Sequence, residues 1–327
     1  MALSDLAVYS EYAYAAMTEV LDQQIAAFNE ASDGTIILTP SAHRGDFDEV
    51  AFFAKIANLV RRRNAYGNGA ISSASLHHLK DTSVKVAAGT QEMLIDPAQF
   101  RWIQRSPEEA GATIGQQLAG DSLADMLNAA IGAGVTALAQ VATNVNDITA
   151  AATPADETSF IALAKTAGKL GDRQTAVRAW IMHSTPLTTL YVNALTNAEN
   201  LFKYETVNVV RDPFGRLFVI TDSPALAWST TTPTADTGFY SLGLQQGAIL
   251  VGQNNDFDYT TVDGTGKENI TRTYQAEWSY NVGIKGFSWD KANGGASPND
   301  AALHTSTNWD RYSTSHKDLA GVLLKSH

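Results

Sequence analysis

Residues 106–147, SPEEAGATIGQQLAGDSLADMLNAAIGAGVTALAQVATNVND, decide how the rest of this 327-residue chain can be arranged. Ser106, Pro107 and Glu109 are a helix start: a capping serine, a proline at the first helical position and an acid placed to close a capping box. Beyond it, Ile114, Leu118, Leu123, Leu127, Ile131, Val135, Leu138, Val141 and Val145 recur every three to five positions, which predicts one amphipathic helix. At 1.5 Å per residue that helix is a rod of about 60 Å, too long to hide in a compact domain. The subunit is therefore expected to be elongated, with other elements hung along a spine. Gly120, Gly132 and Gly134 lie inside the rod, each costing about 1 kcal/mol relative to alanine. They signal either close backbone packing against a long strand or a point of cheap bending, and the second reading makes Gly132 and Gly134 hinge candidates.

A strand of matching reach is expected at residues 271–289, where Tyr274, Ala276, Trp278, Tyr280, Val282 and Ile284 share one parity. At the other end of the chain, Leu6, Tyr9, Ala13, Met17, Val20, Leu21, Ile25 and Phe28 give residues 3–30 one apolar helical face. That helix either packs on its own domain or acts as an arm between subunits, with Met17 and Phe28 as the contact candidates. Residues 35–39 predict a short strand and 46–63 a second helix ending in Arg61, Arg62 and Arg63. Residues 64–75, rich in Gly and Ser, predict a loop tip, and 83–87 a strand forming one stem of a long loop with 35–39. The three arginines suit a salt-bridging contact with an acidic neighbouring subunit better than DNA. From residue 159 onward, helices at 159–170, from 173, at 187–195 and at 299–309 alternate with strands at 179–183, 216–221, 248–251 and 319–325, an α/β arrangement.

The 34 acidic against 23 basic side chains, a net charge of −11, argue against a surface built to grip nucleic acid. An acidic wall is still compatible with enclosing DNA. With no cysteine, disulfides and thiolate chemistry are excluded. No run of 18 apolar residues and no signal-peptide pattern is present, so neither a membrane span nor secretion is expected. His43, His77 and His78 do not have metal-ligand spacing. The acidic loop at 254–266 fails the calcium pattern, and Gly266–Lys267 is followed by Glu268 where a phosphate loop needs Ser or Thr. His183 and Ser184 are sequence neighbours, which rarely face each other as base and nucleophile. No catalytic, cofactor or metal site is expected.

Four blocks carry a resemblance: KTAGKLGDRQTAVRAWIMHSTPLTTL from Lys165, DPFGRLFVITDSPAL from Asp212, FYSLGLQQGAILVGQ from Phe239, and YNVGIKGFSWD from Tyr280 followed by GGASPNDAAL. In this order and spacing they are similar to a branch of tailed-bacteriophage major capsid proteins, the Hong Kong 97-type coat proteins. The resemblance implies an α+β fold with an N-terminal arm (1–34) and an extended loop (35–100). It also implies a peripheral domain (101–155 and 268–297) with the spine helix and long strand, and an axial domain (156–267 and 298–327). It further implies hexamers and pentamers closing into an icosahedral shell around double-stranded DNA, built in the host cytoplasm. A separate scaffolding protein, a portal and decoration proteins are the implied partners. Two other readings stay open: an encapsulin-like nanocompartment shell of the same fold and a soluble α/β enzyme.

Overall fold

The computed structural model describes all residues except 1, 41, 42, 44, 55–59, 72, 74, 152, 154, 197–214, 231–234 and 267. In chain order the elements begin with α1 (Ala2–Ala31), β1 (Ile36–Pro40), β2 (Phe47–Phe53), β3 (His78–Gly89), β4 (Met93–Ile95), α2 (Pro97–Arg105), α3 (Pro107–Ala139) and β5 (Val145–Asp147). They continue with α4 (Phe160–Gly168), β6 (Val177–Met182), α5 (Ser184–Thr196), β7 (Leu217–Ile220), β8 (Ala227–Thr230), β9 (Asp236–Gln245), β10 (Ile249–Gln253) and β11 (Asp258–Gly264). The chain ends with β12 (Thr271–Ile284), β13 (Phe287–Trp289), α6 (Lys291–Gly294), α7 (Asp300–Leu303), β14 (Trp309–Arg311) and β15 (Gly321–Ser326).

The spine is α3, but it stops at Ala139, eight residues short of the predicted end, and spans about 50 Å. Val141 and Val145 continue the apolar period without continuing the helix. Asn144 donates to the carbonyls of His316 (2.9 Å) and Gly321 (2.8 Å), and Val145 pairs in parallel with Leu323 of β15. The core goes on, so the pattern does, while the backbone turns into a strand. The start also differs from expectation. Ser106 closes α2, an element not foreseen, by donating its N–H to the Trp102 carbonyl (3.1 Å), so Glu109 has no free donor with which to complete a capping box. Pro107 occupies the first turn of α3 as predicted.

The helix α1 lies along α3, and Gly111 and Gly115 are the reason it can. A Cβ on Gly111 would stand 2.4 Å from the Tyr9 carbonyl oxygen, and one on Gly115 2.3 Å from that of Ala13. Two glycines four apart thus let the backbones touch. Leu6, Tyr9, Met17 and Leu21 are buried, each contributing about 1.5–3 kcal/mol. By length and composition α3 could cross a membrane, but most of its apolar window is enclosed by the protein itself.

The strand β12 is the axis of a nine-stranded sheet. One edge pairs with β10 and β11, the other with β3, β4 and β13, and β1 adds in parallel to β10. Tyr274, Ala276, Tyr280, Val282 and Ile284 are buried on the predicted parity. The strand does not run to Trp289: Lys285 and Gly286 reverse the chain, Gly286 with φ +89°, and β13 folds back onto β12. A six-stranded sheet is ordered β5-β15-β9-β6-β7, with β8 on β9. Ile131, Val135 and Leu138 of α3 belong to one cluster with Ile249 and Val282 of the large sheet and Leu242 and Leu244 of the small one. The spine is therefore the shared core of both sheets.

The described residues among 46–63, which exclude 55–59, contain no helix. The described part forms β2, which pairs antiparallel with β3 from Phe47↔Val84 to Phe53↔His78. The stems of the long loop are thus β2 and β3, while β1 goes to β10 instead. Phe47, Val50 and Phe53 fit a helical face in isolation, but a β3 strand lying alongside satisfies the backbone between them. Other expectations shift in detail. Gly171–Ala176 is a 3-10 turn, and α7 is a single turn capped by Asn299, whose Oδ1 accepts from Ala302 N–H at 2.9 Å. The β7 strand sits at an edge with Ile220 exposed. The turn at Asp212 and residue Lys267 lie outside the described residues.

Candidate functional site

The surface with most to offer a partner is the hairpin β2–β3 and the segment between its strands. Its root is fixed. Phe52 packs edge-on to Tyr312 at 5.1 Å, Tyr312 donates to Asp81 (3.2 Å), and Lys291 and Lys80 (3.3 Å) both pair with Glu49. The bond from Lys291, then that from Lys80, holds the Glu49 carboxyl below its ordinary range. Beyond this root the hairpin is bare: Val50, Phe53, Ile71 and Leu76 are well exposed, Val60 is 94% exposed and Tyr66 99%. Exposed apolar side chains gathered on one projection mark an association surface.

Arg61, Arg62 and Arg63 stand in this segment, exposed, outside any helix, and without an ion pair among the described residues. The helix-terminus explanation for them therefore falls away. Met17, only 3% exposed, is enclosed by its own chain instead of being presented to another, and Phe28 is half-buried on the same core. Gly132 and Gly134 sit in the spine's buried half. A Cβ would meet His304 Nε2 at 1.9 Å and Ile249 Cδ1 at 2.8 Å respectively. Their neighbours are the His304 ring just after α7 and the Ile249 side chain of β10, and not β12. The structure does not bring these candidates together: the arginines are on the projection, Met17 and the glycines in the core. Val60 reads from the sequence as part of the apolar face of the expected 46–63 helix, whereas the exposed Tyr66, Ile71 and Leu76 escape that reading because Gly and Ser around them suggest a polar tip. Large apolar residues inside such a stretch were the available signal.

His183, Ser184 and Asp222 do meet, but in the wrong order for nucleophilic catalysis. His183 Nδ1 accepts the Thr185 N–H at 3.2 Å, Ser184 Oγ reaches that same nitrogen only at 3.5 Å, and Asp222 accepts the Ser184 N–H at 3.2 Å. A nitrogen whose lone pair is taken by a backbone donor cannot draw a proton from serine. The trio caps the start of α5. His77 binds Ser75 Oγ at 3.0 Å while His78 stacks on Phe53 at 4.5 Å, so each histidine has a separate partner. Among the described residues no three metal-ligating side chains cluster.

A hairpin anchored at its root, with large apolar side chains bared beyond it, is suited to association. The family model of Gp13-like major capsid proteins, described as major capsid protein 13-like, matches residues 5–323. The chain belongs to this family. Its fold agrees: the capsid protein of Ralstonia phage GP4 is similar with a TM-score of 0.52 at 10% identity, over 91% of this chain and 90% of that one. The head protein of Helicobacter pylori bacteriophage KHP40 is matched at TM-score 0.47 and 11% identity, over 90% and 88% of the two chains. The Cyanophage Pam1 capsid is matched at 0.45 and 11%, over 74% and 81%. No curated protein matches the sequence. This capsid protein is a shell subunit of the Hong Kong 97-type fold, and the exposed hairpin is its candidate assembly element.

Proposed function

We propose that this capsid protein is the major coat subunit of a tailed double-stranded DNA phage, closing as hexamers and pentamers into an icosahedral head. The observation that carries this reading is the anchored hairpin whose distal side chains are bare in the single subunit: a monomer has no use for Tyr66 and Val60 in water, whereas a neighbour's surface buries them. The spine with the nine-stranded sheet would form the peripheral domain and the six-stranded sheet the axial domain around which rings close. Within that division β10 and β11, which pair with β12, go with the peripheral part. The net charge of −11 suits a wall that encloses DNA and releases it. A scaffolding protein, a portal and decoration proteins would complete the particle, assembled in the host cytoplasm, and the subunit itself would perform no catalysis. The test is direct: purified protein, alone or co-expressed with a candidate scaffolding protein from the same genome, is imaged by negative-stain electron microscopy. Closed shells of uniform size are expected. A protein that stays monomeric in both settings would overturn the reading, and shells packed with protein cargo in place of DNA in infected cells would favour a nanocompartment.

A further inference from the structure

The strand β11 forms an edge of the large sheet, and among the described residues it pairs with β12 alone, from Asp258↔Glu277 to Gly264↔Thr271 without a break in register. Two contacts fix which of its main-chain groups face outward. Ala276, opposite Tyr259, turns its main chain to the far side of β12, donating its N–H to Thr90 Oγ1 (2.9 Å) and accepting the Thr90 N–H (2.8 Å). Tyr259 gives its own N–H to the Asp258 carboxylate at 2.8 Å instead of to β12. In an antiparallel ladder the N–H and C=O of one residue point the same way and alternate along the strand, so Tyr259, Thr261 and Asp263 present theirs outward. Open edges are templates for pairing, and folded proteins blunt them with Pro, Lys, bulges or short strands. Pro40 ends β1, and the Asn29 side chain grips both main-chain groups of Leu38 on it (2.7 and 2.9 Å). The strands β4, β5, β7, β8 and β14 are three or four residues long. In contrast β11 has seven residues, no Pro, Lys or bulge, and the β-branched run Thr260, Thr261, Val262 at its centre.

Resting on the shell reading above, we infer that β11 pairs antiparallel with β11 of a second copy about a two-fold axis at Thr261, so that two nine-stranded sheets run on as one. The axis falls at the middle of the strand because only there do all three outward residues find partners. Thr261 faces Thr261 and Tyr259 faces Asp263 of the second copy, which makes about six main-chain hydrogen bonds. The Tyr259 N–H then leaves Asp258 for the facing carbonyl. The same register sets Asp258 against Gly264 and Asp263 against Tyr259, so no carboxylate faces another in a chain of net charge −11. It also lays Val262, 55% exposed in the single subunit, beside Thr260 of the second copy. A contact in which one patch serves both copies is self-complementary, and that commits the edge to a second copy in preference to a strand of another protein.

The chain has no cysteine, so one introduced thiol reports the register. Thr261→Cys places two thiols on facing residues about 5.5 Å apart at Cα, within disulfide reach, and oxidation of its shells should give a covalent dimer. Asp258→Cys, whose two copies lie about 20 Å apart in this register, should give none. Thr261→Pro removes an outward donor and leaves the bonds to β12 in place. Its unassembled subunit should melt with the wild type, while its shell yield should fall roughly tenfold or more. Thr261→Cys shells without a dimer, as a strand from another protein would leave them, overturn the inference while the shell reading stands. So does a dimer from Asp258→Cys as abundant as that from Thr261→Cys, or a wild-type shell yield from Thr261→Pro. Should Thr261→Pro fail to fold, the two cysteine variants decide alone. Failure of the wild type to assemble removes the shell reading itself and this inference with it.

Discussion

Gly111 and Gly115 touch backbone, and backbone cannot step aside. Gly111→Ala or Gly115→Ala is expected to cost about 1–3 kcal/mol or more, because the new methyl group meets a carbonyl oxygen of α1. Gly120 has nothing within 4 Å of the added carbon, so Gly120→Ala should stabilise by up to about 1 kcal/mol through helix propensity. Thermal melting of the unassembled subunit checks both signs. The residues' spacing is visible in the chain, but which glycine faces a helix and which faces water is not, since all of them sit in one rod of small residues. A titratable clamp makes a second prediction. His327 lies between Asp236 (3.0 Å) and Asp156 (3.2 Å), tying β15 to β9 and to the segment before α4. The Asp236 bond leads in raising the imidazole above its ordinary value, against partial burial, with Asp156 helping. A histidine raised on folding stabilises fully below its unfolded value of about 6.5, and that contribution disappears as pH climbs through the folded value. The wild-type melting temperature should therefore fall as pH rises from 6 to 8 relative to a His327→Asn variant, and parallel profiles would rule the clamp out.

At the scale of elements, α1 and the hairpin exchange the roles that sequence alone suggests. Removing residues 1–30 strips Leu6, Tyr9, Met17, Leu21 and Ile25 from the core. At about 1.5–3 kcal/mol for each large apolar side chain, the loss is of the same order as the whole stability of a typical domain. That deletion is expected to give an insoluble or unfolded subunit, not a folded one that merely fails to assemble, and circular dichroism distinguishes the two. Replacing Val60, Tyr66, Ile71 and Leu76 by serine should leave the subunit's melting within about 0.5 kcal/mol of wild type, as surface changes do, while abolishing shells. Normal shells from that variant would move the association surface elsewhere. The amphipathic face of α1 was legible in its 3.6-residue period, yet a period says only that one face is buried and not by whose atoms. The hairpin was misread because Phe47, Val50 and Phe53 among the seven residues of β2 fit a helical face, and the partner strand that decides lies from His78 to Val84, far along the chain.

For the whole molecule, a charge of −11 per subunit is repeated across every contact of a shell. Added salt screens repulsion between exposed charges on different copies, most strongly beyond the Debye length of about 10 Å at 0.1 M, whereas pairs buried at a contact are screened much less. Assembly is expected to accelerate between roughly 10 and 150 mM salt, and light scattering that falls steadily over this range would contradict it. What the amino-acid order determined by itself is the set of long elements: a spine begun at Pro107, a strand with Tyr274, Tyr280 and Val282 on its buried parity, and a terminal amphipathic helix. Periodicity and composition are local properties of the chain, so they survive reading without coordinates. Only the tertiary structure decided that the spine ends at Ala139, that β12 turns back at Gly286, that Met17 belongs to its own subunit, and that β11 pairs, among the described residues, with β12 alone. Each of these depends on a backbone or side chain more than a hundred residues away or on another element's surface, and no local pattern encodes which of two compatible conformations that distant partner will select.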